Sequence, residues 1–189
     1  PITFFRWVGL GYVRLLWTGA TDATKAVFRV QASTTNPFAY NTIENIYFDA
    51  ATKAGYAFVL GNGTPETGNA SQNTFNNTYY NEGTVAGILI GDNAEPATTD
   101  SACSLNVWNG GFVADSPYNL KINSPDAYEN TFNSFAFVSS VTDRVIQHIR
   151  LKNAGMTQFN GVEFGALGNY TTSHPNGTGH NIYCIHAES

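Results

Sequence analysis

The chain has 189 residues, 42% hydrophobic and 14% aromatic but only 12% charged, which is enough apolar chain for one good core and too ordered a composition for a disordered segment. Its net charge is −5, with a sequence pI of 5.2 and nine Lys and Arg scattered rather than clustered, which speaks against a nucleic-acid partner. No apolar run approaches the ~20 residues of a membrane helix and no signal peptide is visible, so no membrane insertion is expected.

In chain order, residues 1–40 form an opening rung, 41–165 hold the regular repeats and 166–189 a terminal rung, all within one domain. Because the chain begins at Pro1 while its single methionine is Met156, it reads as a processed product or an excerpt of something longer. Gly, Asn, Thr and Ser punctuate it every few residues, and β-branched and aromatic residues fill the short runs between. No stretch holds the 3.6 period for three turns, so the class is all-β.

Two repeat series run along it. An aromatic followed by Asn or Asp recurs at Phe48-Asp49, Phe75-Asn76, Trp108-Asn109, Phe132-Asn133 and Phe159-Asn160, at intervals of 27, 33, 24 and 27 residues. Between these marks lie AFVLGN ending at Asn62, GILIGDN at Asn93, YNLKIN at Asn123 and HIRLKN at Asn153, spaced by 31, 30 and 30. Interleaved series of nearly one period predict a parallel β-solenoid whose equivalent positions stack at the ~4.8 Å strand spacing. Asp49, Asn76, Asn109, Asn133 and Asn160 then form a ladder at one corner, since Asn tolerates the left-handed conformation and its amide reaches the next rung. Asp49 is followed by AATK, so an irregular rung is expected there. Period-2 counting from the ladder points Thr78, Tyr80, Val113, Phe135, Phe137 and Phe164 inward, and Tyr79, Phe112, Ala136 and Glu163 outward.

Rungs of the type NTFNN alternating with strands of the type GILIGDN resemble the right-handed, single-stranded parallel β-helix of the pectate lyase superfamily, and especially the spikes and fibres of bacteriophage tails. The opening FFRWVGLGYVRLLWTG, with Arg6-Trp7-Val8-Gly9, is similar to the start of such helices. The resemblance covers roughly residues 26 to 165 and implies five to six rungs of about 24–33 residues with the Asn ladder. It implies architecture more than activity, because the fold carries lyases, hydrolases, adhesins and structural spikes. Neither PITFF nor NIYCIHAES looks like the cap a solenoid end needs, so further rungs or neighbouring chains are expected to cover the ends.

Aligning the Asn-terminated strands places Val59, Leu89, Lys121 and Arg150 in one outward column and Asn119 and His148 in the next. This basic patch is a candidate docking point for an anionic polysaccharide; in the lyases that the fold resembles, basic side chains on this face neutralise an acidic sugar and remove its proton. The alternative is two solvated cations with counter-ions. Asp115 and Asp143, roughly one rung apart, are a candidate carboxyl pair for glycoside hydrolysis, or turn formers bonding their own backbone. Outward Tyr79 and Phe112 would stack on sugar rings or form a trimer contact. The insertion GDNAEPATTDSAC, residues 91–103, lengthens one rung and is a candidate binding loop or a solvated excursion.

No stacked acidic column suits calcium, and no Gly-rich phosphate loop, nucleophile elbow or H-E-x-x-H is present, so no cofactor or metal is expected. His174, His180 and His186 near Cys184 read as a polar terminal rung rather than a metal site. Cys103 and Cys184, with no C-x-x-C around either, read as two buried thiols, a disulfide being the alternative. Five N-x-Ser/Thr sequons occur, but Asn76 lies in the proposed ladder, where a glycan has no room. Three functions follow as expectations: a virion surface protein that binds host cell-surface polysaccharide as a homotrimer outside the cell, a polysaccharide lyase or glycoside hydrolase, and a purely structural decoration or adhesin spacer in contact with other virion proteins.

Overall fold

The computed structural model describes residues 5–30, 32, 37–61, 70–92, 102–140, 145–152, 154–165 and 185–188. Among them there are strands and no helix: β1 (Arg6–Leu16), β2 (Asp22–Val30), β3 (Thr42–Asp49), β4 (Ala54–Leu60), β5 (Thr74–Asn81), β6 (Ala86–Gly91), β7 (Val107–Ala114), β8 (Tyr118–Asn123), β9 (Asn130–Asn133), β10 (Ala136–Val138), β11 (Gln147–Lys152), β12 (Thr157–Asn160), β13 (Glu163–Phe164) and β14 (Ile185–Glu188). Every pairing is parallel. One sheet runs β1-β3-β5-β7-β10-β13, with β9 bridging β7 to β12, and the other runs β2-β4-β6-β8-β11-β14. The chain therefore coils as a parallel β-solenoid with an Asn ladder, as its repeats predict.

The turn count differs from the expected five to six rungs: about four turns are regular, those of β3–β4, β5–β6, β7–β8 and β9–β11. At one end the β1–β3 register shifts between Val8 and Val13 and the β2–β4 register between Asp22 and Ala26. At the other end β12 and β13 have only four and two residues.

Aromatic residues stacked coil on coil fill the inside. Ring centroids are 4.7 Å apart for Phe75–Trp108, 4.5 Å for Trp108–Phe132 and 5.4 Å for Phe132–Phe159, with the planes within 18° of parallel. Phe48–Tyr80 and Phe137–Phe164 repeat the arrangement on the next segment. The coil bends at Asn45, Asn77, Gly110, Ser134 and Gly161, all with φ between 48° and 65°; the last four each follow an aromatic-Asn mark, whereas Asn45 follows Ile43-Glu44. Asn, Gly and, less readily, Ser accept that left-handed conformation.

The predicted ladder is present on the outside of this corner: Asn109 Nδ2 donates to Asn76 Oδ1 at 3.0 Å, Asn133 to Asn109 at 2.9 Å and Asn160 to Asn133 at 2.9 Å. Its first member is not Asp49. The β3–β5 register sets Glu44 beside Asn76 and Asp49 beside Asn81, so Ile43-Glu44 aligns with Phe75-Asn76. Glu44 is held by Arg6, with N···O 2.9 Å, and the bond from this guanidinium lowers the carboxyl pKa. Asp49 instead closes the following turn: it accepts from the Ala51 amide at 2.8 Å and pairs with Arg14.

Sequence reasoning missed a second, buried ladder. Asn41, Asn73, Asn106 and Asn130 are at most 2% exposed. Each side-chain oxygen from Asn73 onward accepts both the backbone N–H and the amide N–H of the preceding member, for instance Asn73 N and Nδ2 onto Asn106 Oδ1 at 3.1 and 2.9 Å. The second amide hydrogen goes to a carbonyl: Asn73 to Phe38, Asn106 to Ala70, Asn130 to Cys103. The repeated Asn-Thr-Phe-Asn is therefore a unit in which the first Asn is buried, the Phe stacks and the last Asn ladders outside.

Candidate functional site

On the outer face of the first sheet the register aligns Arg14, Tyr47, Tyr79, Phe112, Ala136 and Glu163 in one column. Tyr79 and Phe112 thus stand one coil apart with centroids 5.0 Å apart. Tyr47 extends them at 6.2 Å from Tyr79, and Tyr12, 76% exposed on the bulge of β1, packs on Tyr47 at 5.8 Å. The bulge turns at Gly11, with φ 87° and open space around it. It lifts Tyr12 beside the column and leaves a cleft of 320 Å³ lined by Gly11, Tyr12, Val13, Asn45, Tyr47 and Tyr79. The Arg14 guanidinium lies 5.9 Å from the Tyr47 ring centroid, and its charge is matched by Asp49. Burial, with the nearby Asp49 carboxylate, pushes the Tyr47 hydroxyl up to about 12, so it stays a neutral donor at any physiological pH. The face is chemically a set of aromatic rings, three of which carry hydroxyl tips (Tyr12, Tyr47 and Tyr79) and one of which, Phe112, does not. Tyr47 was legible in the sequence, 32 residues before Tyr79 and so in phase with the repeat; Tyr12 was not, because only the β1 bulge brings it there.

The other sequence-derived candidates are placed differently. Lys121 stacks on Arg150 and Leu89 in the predicted column, which continues to Val59 and Arg29. Yet Lys121 is only 4% exposed, and Val59 and Leu89 1% and 2%, so this column is no open basic patch. The Arg150 guanidinium sits 5.3 Å from the Tyr118 ring centroid.

Asn119 and His148 are not outward at all. Both are fully buried, Asn119 Nδ2 donating to Val138 O at 2.8 Å and to His148 Nδ1 at 2.9 Å, while the imidazole packs 5.7 Å from Phe164. Period-2 counting fails because two successive residues turn inward at this corner: a Cβ on Gly87, one coil up from Asn119, would meet Val113 Cγ2 at 2.3 Å. Burial pushes the His148 pKa down, so the ring is neutral.

Asp115 is 4% exposed with φ 53°, and its carboxylate accepts from the Ser140 amide at 2.6 Å and from the Ser140 hydroxyl, tying the end of β7 to the segment after β10. The left-handed φ is that of a turn residue, but these two bonds reach the next coil rather than its own backbone. Asp143 lies outside the described residues, as do most of the 91–103 insertion, Cys184, His174 and His180. Cys103 is a free, buried thiol directed at Leu60 O, 3.5 Å away. Among the described residues no cluster of three His, Cys, Asp or Glu is arranged to hold a metal ion.

No protein-family model, curated protein or solved structure matches the chain.

Proposed function

We propose that the protein is a virion surface β-solenoid, of the tailspike or tail-fibre kind, that attaches to polysaccharide on a host cell through the Tyr12–Tyr47–Tyr79–Phe112 face. The single observation behind this reading is that column of half-exposed rings beside a cleft. Core packing does not need it, since the inside has its own aromatic stacks. Sugar rings carry one apolar C–H face that packs on an aromatic ring and a rim of hydroxyls that bonds to phenol and amide groups. Here Asn45 and the tyrosine hydroxyls supply the second kind of contact. The rings stand on stacked strands, so the array is held in geometry rather than assembled on binding.

The test is retention of bacterial surface polysaccharides by the purified protein, with chain length followed by size-exclusion chromatography. Wild type is expected to retain one of them without shortening it, and Tyr47→Ala and Tyr79→Ala each to weaken retention about three- to tenfold. Shortened chains would make the protein a depolymerase, and unsaturated ends absorbing in the ultraviolet would distinguish a lyase from a hydrolase. No retention by any polysaccharide would refute the reading.

A second reading has its own support: Leu10 is 92% and Tyr12 76% exposed on β1, the edge strand of the first sheet. Contact between copies in a homotrimer would cover them. Analytical ultracentrifugation of wild type against Leu10→Asp separates the two, since a trimer contact is lost in the variant and a sugar site is not.

A further inference from the structure

The outer face of the second sheet carries a separate pocket of 340 Å³ whose lining combines aliphatic Val59, Val85 and Leu89 with polar Arg29, Tyr56 and Asp92. It does not involve the tyrosine column. Tyr56 is 2% exposed and its hydroxyl has no hydrogen-bond partner, an arrangement that is unfavourable because a buried donor left unmet has lost its water. Tyr56 belongs to the pocket lining together with the Arg29 guanidinium and the Asp92 carboxylate. Arg29 Nη2 donates to the carbonyl of Thr24, another lining residue, at 2.9 Å, which fixes the guanidinium.

We propose that this pocket binds a single uncharged sugar residue, with the Tyr56 hydroxyl as the bond that specifies it. The two charged side chains of the lining are of opposite sign, so a ligand of either charge meets attraction and repulsion together, whereas vicinal hydroxyls can donate to Asp92 and accept from Arg29 and Tyr56. The aliphatic lining of Val59, Val85 and Leu89 suits the C–H face of a pyranose. The volume lies at the lower end of the range of about 300–1,000 Å³ for small-ligand pockets, which suits one ring and not a chain.

The probe is a panel of methyl glycosides of glucose, galactose, mannose and N-acetylglucosamine, titrated into the isotope-labelled protein and followed by amide chemical shifts. One of them is expected to bind in the millimolar range, shifting the amides of Tyr56, Val59, Leu89 and Asp92. Tyr56→Phe should weaken that affinity about five- to tenfold, Leu89→Trp should abolish it by filling the pocket, and Tyr79→Ala should leave it unchanged. Because Tyr56→Phe only deletes an unpartnered hydroxyl, its melting temperature should equal or exceed that of wild type, so it remains informative even if Leu89→Trp fails to fold. The proposal is overturned if no glycoside moves these amides, if Tyr56→Phe binds as tightly as wild type, or if Tyr56→Phe melts lower. Loss of polysaccharide retention in Tyr79→Ala with intact glycoside binding would show the two sites to be independent.

Discussion

Replacing Asn106 by alanine should remove a large share of the stability of this solenoid. The side chain is fully buried and makes four bonds: its oxygen accepts from Asn73 N at 3.1 Å and Asn73 Nδ2 at 2.9 Å, and its amide donates to Ala70 O and Asn130 Oδ1, both at 3.0 Å. Asn130 Oδ1 keeps a second donor, the Asn106 backbone amide at 3.1 Å. Three groups lose their partner inside the protein: the Asn73 N–H, one Asn73 amide hydrogen and the Ala70 carbonyl. At about 1–3 kcal/mol for each buried group left unmet, with some relaxation, the loss is about 3–5 kcal/mol. Domains of this size are stable by only about 5–15 kcal/mol. The comparison is Asn133→Ala in the outer ladder, which also deletes two inter-coil bonds, but at half-exposed positions where water takes over; its cost is expected below about 1 kcal/mol. Urea unfolding followed by circular dichroism measures both, with an unchanged m-value as the check that the folded and unfolded states are the same. If Asn106→Ala costs no more than Asn133→Ala, the buried ladder does not organise the core and the reasoning is wrong.

Burial holds His148 neutral with its pKa below the ordinary value of about 6.5, which unfolding restores, so its contribution is complete above about pH 6.5 and is lost as pH falls, at up to about 1.4 kcal/mol per pH unit. Unfolding free energies between pH 5 and 8 should show this slope for wild type and a flatter one for His148→Phe; equal slopes would contradict it. At Gly111, with φ 97°, an added Cβ would meet Thr78 O at 2.0 Å, whereas at Gly11, with φ 87°, it meets nothing within 4 Å. Gly11→Ala should therefore cost only the handedness penalty of about 1–2 kcal/mol, and Gly111→Ala about 2 kcal/mol or more beyond that, readable as melting temperatures. Burial pushes the Cys103 thiol up to about 12, so peptide mapping after iodoacetamide at pH 8 should find it unmodified in the native protein and alkylated in urea. Native labelling of Cys103 would show that this coil opens readily.

What was legible in the sequence was whatever repeats along the chain. The recurrence of Phe75, Trp108, Phe132 and Phe159 gave the coil period, and the stacked rings follow from it. The outward column could be counted through Tyr79, Phe112, Ala136 and Glu163 because each lies a fixed three residues beyond the laddered Asn, past a corner of constant length. Glu44 escaped because Ile43-Glu44 shares no letter with Phe75-Asn76, while Phe48-Asp49 imitates the mark; only hydrogen-bond register tells them apart. Likewise nothing local says which Asn of Asn73-Thr-Phe-Asn76 is buried.

The sequence by itself determined the all-β class, the parallel coil and its period, since inward aromatics and corner Asn residues must recur wherever successive strands stack in register. Only the tertiary structure decided exposure. Lys121 and Arg150 stack as counted, yet Lys121 is buried, and His148 is turned inside by a corner where two neighbouring residues face the core. Tyr12 joins Tyr47 and Tyr79 only because a bulge at Gly11 shifts the register of β1. The reason is that side-chain alternation is a property of a straight strand, whereas each left-handed residue or bulge resets it, and how much solvent then reaches a position depends on segments far away in the chain.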